Sequence, residues 1–322
     1  MKGAASRPAR NLGAAAKKRT STKSVDEPTS SRAPVLVIGS GLHVAAGTGA
    51  LDWPALVGVV FGQQRTRRKH DEAVALAWEA RLVDQVSKNC QYQPFTAERT
   101  ALRKLALALD EQYPAAVESK IHDRLRAGGI ADLVVFNFDR SLHQDLDGAA
   151  WRDERRAPDL PGTRVWHPHG HTGAPRSIVF GTRRYGTEVA KLEAARKAYW
   201  QAFRGDDARG VVDPTPTHWL HTLLSRREVH LIGLGLRPEE WTLWWALTQR
   251  ARRFARDAGR GAPKTVAHVF HNRSKADAHS MWRTSALASL RIEERRFGPG
   301  KSTAVWKEVI DQCQPARNEG SS

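Results

Sequence analysis

The stretch ADLVVFNFDRSLH, Ala131 to His143, decides how the chain is read. Ala131 to Phe136 has the composition of a strand buried on both faces, and it runs without a break into Asn137 and Asp139. A packed core has little use for either side chain. In a doubly wound α/β sheet, however, the residues just past the carboxyl end of a strand are the ones that meet a ligand. Asn137 can both donate and accept hydrogen bonds, which suits it to holding a ribose hydroxyl or a water. Asn and Asp also satisfy backbone groups in turns, so the stretch alone leaves both roles open.

The rest of the chain supplies the sheet that such a reading needs. Strands are expected at Pro34 to Ile38, Arg164 to Trp166, Ser177 to Phe180, Glu228 to Ile232, Thr265 to Phe270 and Leu290 to Glu294. Between them lie segments with apolar residues at helical spacing, at Glu188 to Phe203, His218 to Leu224, Glu239 to Ala255 and Asp277 to Ala288. The alternation predicts a Rossmann-like, doubly wound parallel sheet with helices on both faces. The span from about 53 to 129 reads as a helical insertion between the first two core strands. Trp241, Trp244 and Trp245, three and four residues apart, are expected to pack in the core.

Composition sets the outer bounds. The chain has 322 residues, 40% of them hydrophobic, enough for a sizeable core. No apolar run approaches the ~18 to 20 residues that span a bilayer, and the basic, Ala/Ser-rich start lacks the apolar centre of a secretory signal, so a cytoplasmic protein without membrane contact is expected. Cys90 and Cys313 stand far apart, which leaves no cysteine-based zinc site. The net charge is +17. Residues 1–33 carry eight basic and two acidic residues and read as a disordered basic tail through which nucleic acid could be held; residues 34–312 form the domain, and 313–322 a C-terminal tail. RTRRKHDE and RARRFARD read as solvated helix faces.

Three further stretches carry candidate chemistry. After the first strand, Gly39, Ser40 and Gly41 allow a tight turn that brings backbone N–H groups against a phosphate. The third glycine of a dinucleotide fingerprint is missing, since position 44 is Val, which argues against a hydride-transferring dehydrogenase. VWHPHGH brings His167, His169 and His171. Any of them can act as a general base, while alternate histidines on an extended segment can instead converge on a metal, or lie in an exposed loop without a role. VHLIGLGL ends in Gly233, Leu234 and Gly235, and VAHVF is followed by Asn272. These glycines can admit an adenosine or simply make a turn, and Asn272 can bind a ribose or cap one.

In order and spacing these pieces resemble the sirtuin fold, in particular the divergent sirtuin-like domains of bacterial antiphage defence proteins, from about Pro34 to Asn272. GSGLHVAAGTGALDWPAL looks like the family's first loop, VVFNFDRSLH like its strand ending in Asn-x-Asp, HPHGH like its His-Gly, SIVFGTRRYG like the segment closing on a Tyr (here Tyr185), and LIGLGLRPEEW like its late glycine turn. The resemblance implies an NAD site. Asn137 would position the nicotinamide ribose and a water, and His169 would act as base. Gly39, Ser40, Gly41, Asp139, Gly233, Gly235 and Asn272 would form the binding shell, with His43 and Leu234 standing where the family carries other residues. Two distant cysteines cannot build the four-cysteine zinc module typical of protein-deacetylating members. The expected activity is therefore hydrolysis of NAD to nicotinamide and ADP-ribose, with NAD as substrate, no zinc, and a homo-oligomer or a separate sensor protein as partner. An NAD-dependent deacylase, a histidine-based metal hydrolase and a basic nucleic-acid-binding module are the alternatives.

Overall fold

The computed structural model describes residues 33–49, 53–62, 74–88, 93–113, 118–127, 129–143, 155–156, 159–204, 218–238, 240–257, 261–270, 278–298 and 302–314. The basic tail and the end of the chain from Pro315, on which two expectations rest, lie outside them, as does Asn272. Six strands, β1 (Val35–Ile38), β2 (Asp132–Val135), β3 (Arg164–Trp166), β4 (Val229–Ile232), β5 (Thr265–Phe270) and β6 (Glu293–Phe297), form one sheet in the order β3-β2-β1-β4-β5-β6. Every pairing is parallel. This is the Rossmann-like α/β arrangement, and the strand order reverses between β1 and β4.

Period-two alternation divides each central strand between two cores. Val35, Val37, Val229, Leu231, Ala267 and Val269 pack with Trp219 of α7 (His218–Leu224) and with Leu243, Ala246 and Leu247 of α8 (Trp241–Phe254). Leu36, Ile38, Leu133, Val135 and Ile232 face the other way, onto α5 (Lys120–Ala127) and α10 (Ser302–Cys313). Covered on both faces, β1, β2 and β4 are buried at every position, which is why they read as unbroken apolar runs. α6 (Thr182–Arg204) adds Leu192, and α9 (Ala278–Ser289) adds Leu287, to the first core.

The insertion is helical as expected. After the short α1 (Gly41–Ala45) come α2 (Trp53–Val60), α3 (Val74–Lys88) and α4 (Pro94–Gln112), ahead of α5. Leu56, Trp78, Leu102 and Leu109 build a separate core there, closed from the sheet side by Phe138, Ile178 and Phe180. This corrects the expected strand at Ser177 to Phe180. Pro175–Ser177 is a 3-10 turn, and the apolar residues after it serve the insertion rather than the sheet. Trp241 is 48% exposed, so it is not the core residue expected, whereas Trp244 and Trp245 pack partly against the first core. Arg250 also departs from its expected solvated face. It is buried, and its guanidinium binds Ser225 O at 2.8 Å and Thr265 Oγ1 at 2.8 Å, tying β5 to the loop before β4. No helix among the described residues is long and apolar enough to cross a membrane.

Candidate active site

The glycine turns after β1 and β4 touch at the point where strand order reverses. Gly41 N donates to Gly233 O at 2.7 Å and Gly39 N to Ile232 O at 3.2 Å. A methyl group at Gly41 would lie 2.5 Å from the Gly233 Cα, and Gly233 itself has φ +67°, with the Trp306 ring 2.7 Å from where its Cβ would be. Two backbones can pass this closely only without side chains, so the glycines are a packing requirement of the junction. Two clefts flank it and share Ser40, Leu234 and Gly235. The first encloses about 820 Å³ between the junction, β2, the HPHGH loop and the insertion; the second encloses about 1180 Å³ between the junction, β5 and α10.

Asn137 and His169 meet in the first cleft. Asn137 is 4% exposed, and its Nδ2 has no hydrogen-bond partner among the described residues. Its carbonyl is engaged, accepting from His167 Nδ1 at 2.9 Å. A buried amide N–H pair left without an acceptor costs about 1 to 3 kcal/mol, and such an orphan inside a cleft marks a place where a ligand oxygen belongs.

His169 is held on all sides. Its ring meets Phe136 edge-on at 4.8 Å, stacks on Phe138 at 6.0 Å and contacts Tyr185 at 5.4 Å, while Nε2 is hydrogen-bonded to Thr242 Oγ1. The loop that carries it turns at Gly170, φ +76°, where a Cβ would strike Ser177. Arg155 clamps that loop from below through Pro168 O at 2.9 Å and through a buried ion pair with Glu188. Burial, and secondarily the charge of Arg155, push the His169 imidazole down to about 3. At neutral pH it is uncharged and able to accept a proton.

The other site expectations divide. Gly39, Ser40, Leu234 and Gly235 line the first cleft, and Gly41 and Gly233 line the second. His43 and Asp139 line neither. They are buried against each other, His43 Nε2 to Asp139 Oδ2 at 2.7 Å, with His43 stacked on Tyr113 at 3.9 Å and Asp139 Oδ1 accepting from Ser141 N at 3.0 Å. Burial opposes ionisation of Asp139, yet the charge and hydrogen bond of His43 and the bonds from Ser141 outweigh it and hold the carboxyl below the usual range. The pair fastens the start of α1 to the end of β2, under the cleft rather than in it.

The three histidines do not converge. The turn at Pro168 and Gly170 replaces the extended segment on which alternate side chains would align. His169 faces the cleft, whereas the His167 ring lies 6.1 Å from His143 and 5.8 Å from His171. All three are buried, so an exposed loop is ruled out as well. Among the described residues, no group of three His, Cys, Asp or Glu side chains is placed to hold a metal.

Sequence reading missed Trp53, Val74 and Ala75, which the insertion contributes to the first cleft, and Arg237 and Glu240 at its rim. It also missed His268 and Trp306 in the second. A histidine inside the apolar run TVAHVF was the one available signal for these last two. Models of known protein families give no match to the chain, and a search of curated proteins gives none either.

Proposed function

We propose that the chain is an NAD hydrolase of the sirtuin-like kind, cleaving the bond between nicotinamide and ribose with water to release nicotinamide, ADP-ribose and a proton. The observation that carries this reading is the orphaned Asn137 amide, set beside an uncharged His169 in a cleft at the strand-order reversal. Breaking that bond develops positive charge on the sugar, so the site must orient the ribose and a water more than supply an acid. Asn137 Nδ2 donates to the ribose or the water, and His169 accepts the proton that is released. Phe136, Phe138 and Phe180 give the cleft dry walls against which a flat nicotinamide ring can lie.

The sequence resemblance extends the proposal to an NAD-depleting effector of bacterial antiphage defence, consistent with two cysteines being too few for a deacylase zinc module. Chromatography of NAD incubated with the full chain tests it. Nicotinamide and ADP-ribose are expected without any acylated peptide. Strict dependence on an acetyl-lysine peptide, with an acetylated ribose product, would replace hydrolase by deacylase, and equal turnover by wild type and Asn137→Ala would remove the proposed site.

A further inference from the structure

We infer that Glu228, His230 and His268 form a relay that fixes a hydrogen-bond acceptor in the second cleft, so that this cleft selects an aminopurine over an oxopurine. The inference rests on the NAD reading only in expecting a nucleotide base there. His230 and His268 lie diagonally on adjacent strands, on the face turned toward α10; β4 and β5 pair with Ile232 opposite His268. Their rings stack 5.3 Å apart, and His268 stacks in turn on Phe297 at 5.9 Å, so neither ring is at liberty to turn over.

The proton positions follow from the neighbours. Burial lowers the affinity of both imidazoles for a second proton, His268 to about 4, so each carries one N–H at neutral pH. The half-exposed Glu228 carboxylate, which can only accept, sits 3.3 Å from His230 Nε2 and draws the His230 proton to that nitrogen. His230 Nδ1 is then an acceptor. It lies 3.0 Å from His268 Nε2, which must donate to it. His268 is left with a bare lone pair on Nδ1, a buried atom with no partner among the described residues, on a side chain that lines the cleft.

A second orphan complements it. The indole N–H of Trp306, another lining residue, is also buried and unpaired. One acceptor and one donor fit the edge of adenine, where the amino group donates beside an accepting ring nitrogen. An oxopurine offers an oxygen at that place, which sets lone pair against lone pair. Sites built on buried polar groups reject such a mismatch strongly, because the protein group is left unsatisfied.

Calorimetric titration of the full chain with AMP and with IMP, alongside the NAD cleavage assay, tests the relay. AMP is expected to bind at least about tenfold more tightly than IMP. His268→Phe should abolish the preference. Glu228→Ala, at the surface and outside the cleft, should shrink it several-fold by releasing the His230 proton; a purely structural Glu228 would leave the ratio unchanged. Equal affinity for the two nucleotides, binding of neither, or a ratio untouched by Glu228→Ala overturns the inference, and continued NAD cleavage would then leave the hydrolase reading standing. A preference for AMP in a chain that leaves NAD intact supports the relay and sinks the hydrolase.

Discussion

Asn137 carries an unfavourable arrangement that serves no packing purpose, since its Nδ2 is buried and unpaired. Removing the amide should therefore separate activity from stability. Asn137→Ala is expected to lower NAD turnover a hundredfold or more while the thermal midpoint holds or rises, as measured by product chromatography and calorimetry on one preparation. His169→Ala should lose a similar factor, and the double variant hardly more, because residues acting on one step are not additive. His43→Ala is expected to do the reverse. It strips a buried carboxylate of its partner at a cost of about 3 to 5 kcal/mol in urea unfolding, with NAD affinity little changed. From the sequence these residues looked alike, each polar and each just past a strand. Asn137 and His169 were legible because a polar group after a buried strand has few other uses. His43 and Asp139 were not, because their burial depends on Tyr113 and on a partner 96 residues away, neither of which local spacing reveals.

Elements were legible wherever a single period governed them. β1, β2 and β4 are buried on both faces and announce themselves as apolar runs, and the helices of the insertion show their spacing over three turns or more. The segment at Ser177 to Phe180 misled because alternating apolar residues mean only that both sides are covered. Here the cover is the insertion's core, and a parallel sheet gives no local sign of where it ends. RARRFARD misled for the opposite reason. Arginine is ordinarily solvated, and Arg250 is buried only because several backbone carbonyls and a threonine converge on its guanidinium. At this scale the β1 and β4 turns act as one unit. Gly41→Ala would force the Gly233 backbone away, and the expected loss is about 1 to 3 kcal/mol in denaturant unfolding together with weaker ligand binding in both clefts. Loss of stability with unchanged binding would mean that the junction does not shape the clefts.

For the whole molecule the unusual quantity is the number of histidines kept neutral by burial. His122, His221 and His268 are pushed down to about 4, and His143 and His169 to about 3, while His167, His218 and His230 are lowered as well; desolvation is the leading cause in each. The direction of the pH effect follows from proton counting. Below the ordinary histidine value of about 6.5 the unfolded chain takes up protons that the folded chain refuses, so stability falls as pH falls, and keeps falling until the folded values near 3 to 4 are reached. Asp139, Glu293 and Glu294, lowered instead, lose their contribution only nearer pH 4 and below, which leaves pH 6.5 to 5 as a window governed by the histidines. Each fully neutral histidine costs up to about 1.4 kcal/mol per pH unit there, so the sum over several is a large part of a typical folding free energy of about 5 to 15 kcal/mol. The urea midpoint is expected to drop steeply between pH 6.5 and 5, and His122→Asn combined with His221→Asn should flatten the slope even if it lowers the plateau. NAD turnover should stay nearly level from pH 8 to 6.5, because His169 is already uncharged, and then decline with the unfolding curve rather than with a titration of its own. A midpoint indifferent to pH over that window would show that the histidines are hydrated in solution, and the picture of a dry site around His169 would go with it.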